Sequence, residues 1–275
     1  MGTAPRLGSK GPHILDLQRR LSKAGFSPGP LDGIFGKKTL EAVRAFQEDR
    51  GLSVTGLIDE TTARALGILP QVGPAEVLRR VDRRDGRVAL TFDDGPDHRY
   101  SLKIANALAE GGARGTFFFL GSMLESAKLD LSSVCRLGHE PASHGYSHTS
   151  FRALPFAAME QELVKTEDAI IRHCGIRPRF FRPPYGAFDS RVILAARKRG
   201  YPFLALWDVD TRDWTRPGVS RIIASVERNA SSGSIILLHE GYESTLQALS
   251  GILRALKNKG LRSVTLSELI NGHSG

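Results

Sequence analysis

Two adjacent carboxylates, Asp93 and Asp94, stand just after the apolar run Val88-Ala89-Leu90 and are followed by Gly95-Pro96. At the tip of a rigid element such a pair can divide its work, one carboxylate binding a cation while its neighbour accepts a proton. Further along, His144 and His148 are spaced i, i+4. On a helical turn that spacing puts both imidazoles on one face, about 6 Å apart along the axis, so that both reach one ion. Two imidazoles and a carboxylate leave positions open to water and substrate, the arrangement of a catalytic rather than a structural metal site. Three more segments end in groups able to do chemistry. In Phe181-Arg182-Pro183-Pro184-Tyr185-Gly186 the proline pair fixes the backbone and sets Tyr185 and its amide in one orientation. Asp210-Thr211-Arg212-Asp213-Trp214 follows a strand-like run, and the apolar Ile235 to Leu238 ends in His239-Glu240. Any one of these reads as a turn or strand end, and an isolated Asp-Asp-Gly is more often just that. Five on successive strands are harder to dismiss, because an α/β barrel gathers such ends at one mouth.

The elements needed to position them are legible. Arg87 to Phe92 and Gly115 to Leu120 read as strands, with Leu102 to Ala109 a helix between them, and further αβ pairs run to the C-terminus. That alternation predicts a parallel α/β sheet or barrel with its site at the carboxyl ends of the strands. Residues 12 to 69 have another texture. Ile14, Leu17 and Leu21, then Leu40, Val43 and Phe46, then Ala63 and Leu66 recur at helical spacing. Asp59 is placed to cap the third helix, while Gly51 and Gly67 end the second and third. Three short helices around one small core are expected. Residues 70–84, with two prolines, a glycine and clustered basic side chains, read as a linker with room for a short helix.

Composition excludes several classes. A chain of 275 residues with 41% hydrophobic and 24% charged side chains is neither disordered nor fibrous, and its length permits two domains. No apolar run reaches the length of a bilayer span. The opening MGTAPRLGSKG has no apolar stretch of the kind a secretory signal carries. Cys135 and Cys174 form no metal-binding spacing and are expected as unpaired, partly buried thiols. The 38 Lys and Arg against 29 Asp and Glu give +9, which suits an anionic partner: nucleic acid, a membrane surface or an acidic polymer. There is no nucleic-acid recognition motif and no basic stretch interleaved with stacking aromatics.

The ordered set TFDDGP, HGYSH, RPPYG, DTRDW and LLHE, with GTFFFLG at Gly115 to Gly121 and Leu137-Gly138-His139-Glu140, resembles the polysaccharide deacetylases of carbohydrate esterase family four over residues 85–275. Residues 6–69, through Asp32-Gly33-Ile34-Phe35-Gly36 and Ala45-Phe46-Gln47 above all, resemble the three-helix peptidoglycan-binding module. The resemblance implies a distorted, incomplete (β/α) barrel preceded by a small all-α domain. It makes Asp94, His144 and His148 the metal ligands, Asp93 the catalytic base, His239 the general acid and the Tyr185 amide an oxyanion donor. Asp213 and Arg182 match residues that orient or tune acid and base, and Pro184, Trp214 and Leu237 match residues shaping the groove. One divalent ion is implied, zinc first, with cobalt or nickel also suited to a His-His-Asp set. One position departs from the family: Gly145 stands where Ser or Thr usually follows the first histidine, a hydroxyl associated with the loop rather than the metal.

The implied reaction is metal-dependent hydrolysis of N-acetyl groups on amino sugars of a cell-wall polysaccharide, peptidoglycan before chitooligosaccharides. A wall substrate implies action outside the cytoplasmic membrane. The competing class, a non-catalytic wall-binding protein, is disfavoured by the complete set of acid, base and ligand residues.

Overall fold

The computed structural model describes residues 7–68, 75–127 and 131–271. The chain divides into two compact units, Met1–Gly73 and Pro74–Gly275.

In the first unit, helices α1 (Pro12–Lys23), α2 (Lys37–Asp49) and α3 (Glu60–Ala65) enclose a core of Ile14, Leu17, Leu21, Phe35, Val43 and Phe46. Asp59 caps α3 by accepting from the Thr62 amide at 2.8 Å. So little regular structure leaves many backbone groups without partners, and two buried glutamines supply them. Gln18 accepts from the Gly33 amide and donates to Asp32 and to the Ile34 carbonyl. Gln47 repeats the device: it accepts from Gly56 at 2.8 Å and donates to the Leu57 carbonyl and the Thr62 hydroxyl. Gly33 and Gly56 both have φ near +70°, at 72° and 73°. Each glutamine thus pins a left-handed turn that only glycine adopts freely.

The second unit is a curved sheet of nine parallel strands, in the order β1 (Glu76–Leu78), β6 (Phe203–Ala205), β5 (Phe180–Phe181), β4 (Glu140–Ser143), β3 (Gly115–Phe119), β2 (Arg87–Gly95), β8 (Ile235–His239) and β7 (Val209–Asp210), with β9 (Arg262–Ser263) also paired to β2. Between them run α4 (Ser101–Glu110), α5 (Gly121–Ser126), α6 (Ser132–Arg136), α7 (Phe156–Cys174), α8 (Ser190–Lys198), α9 (Val219–Asn229), α10 (Glu243–Asn258) and α11 (Leu266–Ile270). β1 and β7 are not neighbours, so the barrel stays open, as expected of an incomplete (β/α) barrel.

The period of two sorts each strand into an outer and an inner set. Val88, Leu90, Phe92, Ile236 and Leu238 pack outward among the helices. Ala89, Phe118, Ala142, Phe180, Ala205 and Ile235 pack inward, where Leu266 and Leu269 of α11 join them. Continuing the inner parity to the strand ends reaches Asp93 on β2, His239 on β8 and Arg182 just after β5. The register pairs Asp93 directly with His239.

Part of the sequence reading is corrected here. Residues 70–74 lie outside the described residues, and within the rest of the expected linker Glu76–Leu78 form a strand, β1, of the sheet. Glu76, Val77 and Leu78 pair with Phe203, Leu204 and Ala205. Val77 and Leu78 are the apolar pair that makes a strand possible among the surrounding charges, and Leu78 joins the inner core.

Replacing Gln47 by Leu leaves the buried Gly56 amide and the Leu57 carbonyl without partners, which should lower the stability of the helical unit by about 1–3 kcal/mol. Hydrogen exchange of the full chain in urea reads this: amides of residues 37–68 should lose protection while those of 87–271 keep theirs.

Candidate active site

Asp93 and Asp94 are consecutive, so a regular strand would send one inward and the other into the helical layer. The structure avoids this with a bulge. Asp93 is opposite Phe118 and Gly95 is opposite Phe119, and Asp94 is left over, with φ of 68°. A bulge of this kind re-aims a side chain. Both carboxylates therefore reach the same cavity, about 470 Å³, whose walls also hold His144, His148, His239 and Tyr185.

The two imidazoles meet differently from the expected helical turn. His144 to His148 form an irregular loop after β4, with Gly145 at φ 81° and His148 at φ 60°. The rings lie 5.3 Å apart between centroids. This loop is pinned by Glu162 of α7, which accepts from the Tyr146 amide at 2.8 Å, the Ser147 amide at 2.9 Å and the Ser147 hydroxyl at 2.9 Å. Amides of Gly121 and Ser122, opening α5, bind the Gly145 and Tyr146 carbonyls.

One ligand atom each from Asp94, His144 and His148 fits within 4.8 Å of the others. The Asp94 Oδ1 atom lies 3.4 Å from His144 Nε2 and 3.1 Å from His148 Nε2, and it is shielded from solvent without a well-aligned donor. His144 Nδ1 sits 2.8 Å from the Arg182 carbonyl, which can only accept. In the neutral ring the proton is therefore on Nδ1, and the lone pair of Nε2 points at a carboxylate oxygen. Converging acceptors of this kind fit a cation. Burial alone would raise the Asp94 pKa, yet His144 and His148 outweigh it and hold the carboxyl well below its usual range. His148 is displaced upward, chiefly by the Asp94 carboxylate beside it.

Behind Asp94, His144 and His148, Arg182 is wholly buried. Its guanidinium donates to Asp93 Oδ1 at 2.7 Å, the Thr91 hydroxyl at 3.0 Å and the carbonyls of Ala205 and Leu206 at 2.8 and 2.9 Å. Its lower face rests on the Phe118 ring, 4.1 Å from the centroid. This leaves Asp93 Oδ2 facing the cavity, 3.8 Å from His144 Nε2.

His239 is oriented in the same way by Asp213, which is also fully buried. Asp213 accepts from His239 Nδ1 at 2.8 Å, the His239 amide at 2.8 Å, the Trp214 amide at 3.0 Å and the Thr245 hydroxyl at 2.6 Å. Burial works to lower the His239 pKa, but the Asp213 hydrogen bond and charge, with Asp93 and Asp94 adding to them, raise it overall. Nε2 has no partner among the described residues, and the ring lines the cavity.

Tyr185 sits at φ 62° in a short turn, Pro184–Gly186, and its exposed ring meets His148 edge-on at 4.7 Å. Trp214 and Leu237 line the cavity. Pro184 does not: it is buried within the turn that carries Tyr185. Trp207, Asp210 and Tyr242, none of them assigned a role from the sequence, also line the wall. The first two were reachable by parity along their strands, whereas Glu162 and Thr245 lie on helices, where nothing in a motif points to them. Cys135 and Cys174 are free thiols, as expected.

Residues 80–204 match the family model described as polysaccharide deacetylase, and residues 10–66 match that of a putative peptidoglycan binding domain. The chain is 35% identical to a peptidoglycan-N-acetylglucosamine deacetylase of Bacillus cereus over 198 residues, 70% of this chain and 92% of that protein. It is 32% identical to a chitooligosaccharide deacetylase of a Bradyrhizobium strain, over 66% of this chain and 90% of the relative. The solved structure of a peptidoglycan N-acetylglucosamine deacetylase bound to 4-naphthalen-1-yl-N-oxidanyl-benzamide is similar with a TM-score of 0.67 at 32% identity, covering 70% of this chain and 92% of that one.

Next to His239, Glu240 is buried against Gly95, hydrogen-bonded to the Ser101 hydroxyl, and one of its oxygens has no partner among the described residues. Burial pushes its pKa up to about 8. The folded protein therefore holds this proton more tightly than the unfolded chain, so the associated stability is present at pH 4 and is lost as pH rises toward 8. Glu240→Gln should be close to neutral at pH 5 and stabilising at pH 9. Denaturant midpoints at the two pH values test this, and equal shifts at both would contradict it.

Proposed function

The chain belongs to the polysaccharide deacetylase family, and we propose that it removes N-acetyl groups from the amino sugars of peptidoglycan. The observation carrying this reading is the convergence on one cavity of a cation-binding triad, a carboxylate with one free oxygen and a histidine backed by a buried aspartate. The helical unit, which matches a peptidoglycan-binding domain, makes the wall polymer the first candidate substrate. Such a substrate puts the site of action outside the cytoplasmic membrane. No described helix is long and apolar enough to cross a membrane.

Asp94, His144 and His148 would hold one divalent ion, zinc by preference and cobalt or nickel as substitutes. When bound, the ion supplies Lewis acidity for activating water and polarising the acetamide carbonyl. The protein's own groups do the rest. Arg182 occupies Asp93 Oδ1, so Oδ2 is the oxygen that takes the proton of the attacking water. The Tyr185 amide, in the turn Pro184–Gly186 at the cavity wall, donates to the oxygen that becomes negative at the tetrahedral stage, a contribution of about 3–4 kcal/mol for a well-placed donor. Asp213 fixes the His239 ring with Nε2 toward the cavity, and His239 protonates the departing amine. Acetate and a free amino sugar result. The Trp214 and Tyr185 rings, both exposed, offer faces to the sugar.

Acetate release from purified peptidoglycan and from chitooligosaccharides, with and without chelator and with products identified by mass spectrometry, tests this reading. The expected outcome is chelator-sensitive release that is faster from peptidoglycan. Asp93→Asn should keep its metal and lose at least a hundredfold in turnover, whereas His144→Ala should lose the metal as well. Chelator-resistant release, or full activity of Asp93→Asn, would overturn the assignment. Exclusive activity on chitooligosaccharides would move the substrate and leave the chemistry in place.

A separate test addresses the acid. Because Asp213 helps hold the His239 pKa above its ordinary value, His239 stays protonated further into the alkaline range. Asp213→Asn removes that support, so the alkaline limb of kcat/KM should move to lower pH. The loss should be larger at pH 8 than at pH 6. Equal loss at every pH would remove His239 from proton donation.

A further inference from the structure

Beside the catalytic cavity lies a second depression of about 370 Å³, with Arg99, Tyr100, Arg216, Tyr242 and Glu243 in its wall. Tyr242 belongs to both. Its ring is 6.4 Å from that of His239 on one side, and the Arg216 guanidinium carbon is 6.0 Å from it on the other. The two arginines are not equivalent. Arg99 is neutralised by Asp97, with Nη2 to Oδ2 at 3.0 Å. Arg216 has no carboxylate within 4.0 Å among the described residues, and Glu243 is engaged by the Gln247 amide at 3.0 Å. The placement of Arg216 is also not casual. Its amide donates to the Asp213 carbonyl at 2.9 Å, in the turn Asp213–Thr215 that carries the buried Asp213 and the exposed Trp214. The main chain of Arg216 is therefore tied to the turn that carries Asp213, and its guanidinium extends from there over the Tyr242 ring.

We propose that Arg216, supported by the face of Tyr242, forms an anion subsite that receives a carboxylate carried by the sugar next to the one losing its acetyl group. Resting on the proposed peptidoglycan reading, this gives that site a means of choosing its substrate. The two short steps from His239 to Tyr242 to Arg216 cover a span a disaccharide bridges. Chitin is neutral along its length, whereas peptidoglycan carries carboxylates on every second sugar: the lactyl group of a muramic residue, or the peptide attached to it. A planar guanidinium suits a carboxylate in a bidentate way that an ammonium does not match. A rim position also makes the contact sensitive to salt.

The test compares three soluble tetrasaccharides: chitotetraose, an alternating GlcNAc–MurNAc oligomer without peptides, and the same oligomer with its peptides. In the wild type, kcat/KM for the carboxylated oligomers relative to chitotetraose should fall as salt is raised. Arg216→Ala should reduce that ratio about tenfold, through KM rather than kcat, and Arg216→Lys should restore only part of it. Loss confined to the peptide-free oligomer assigns the lactyl carboxylate, and loss confined to the peptide-bearing one assigns the peptide. An unchanged ratio in Arg216→Ala, or equal losses on all three substrates, would overturn the subsite. Calorimetric binding of the same oligomers to Asp93→Asn, with and without Arg216→Ala, gives the answer without turnover. If the wild type hydrolyses none of the three, the deacetylase reading fails, while the binding ratio still decides for or against Arg216.

Discussion

A guanidinium removed entirely from water organises the centre of this protein. Arg182 reaches from the end of β5 across the barrel interior to Asp93 on β2, and its two remaining directions are taken by carbonyls at the end of β6. Its main chain extends the same role, for its amide binds the Ser143 carbonyl at the end of β4 and its carbonyl binds His144. One residue thus fixes the carboxylate we assign as base, the tautomer of one histidine of the proposed cation triad and the relative positions of four strand ends. Burying such a pair is costly, and removal of one partner of a buried pair typically costs about 3–5 kcal/mol because the other charge is left stranded. The arrangement holds because each guanidinium N–H engaged here has an acceptor and the aromatic face of Phe118 lies beneath it.

The second constraint is the period of the strand. It places Asp93, His239 and Arg182 in the interior without any special device, since each continues a parity begun by Ala89, Ile235 and Phe180. It would have sent Asp94 the other way. The bulge at Asp94 is therefore what turns two neighbouring carboxylates into two groups acting on one cavity. Asp94 adopts a left-handed φ there, a conformation that Asp tolerates better than most side chains.

This difference marks what the sequence could tell. The strand ends, the helical unit and most of the residues in the cavity were legible because period, turn chemistry and motif order all agree on them. The path of the chain between those residues was not. His144 and His148 have helical spacing, yet Gly145 and the demands of the loop set left-handed angles that no periodicity announces. Glu76 to Leu78 are flanked by charge and proline and look like a connector, and only pairing with β6 makes them a strand. Glu162 joins the site from a helix packed on the histidine loop, and Tyr242 stands three residues past His239, just beyond the motif. The net charge of +9 was a weak guide by itself, and it gains meaning at Arg216, a cation beside the cavity with no carboxylate partner among the described residues.

Gly145 shows how a departure from a motif can be balanced elsewhere. A Cβ at this position would lie 2.9 Å from the Phe151 ring, and φ is 81°, so a serine or threonine here would be strained as well as crowded. The hydroxyl usual in the family cannot simply be restored without moving Phe151, which is itself fully buried against Phe181. Support for the loop comes instead from Glu162, whose carboxylate takes two consecutive amides and a hydroxyl. Hydrogen bonds to an ionised acceptor are roughly twice as strong as neutral ones, and three of them act on the residues between the two histidines. The loop that carries His144 and His148 is therefore anchored by a helix packed against it, and its rigidity does not depend on the side chain that is missing.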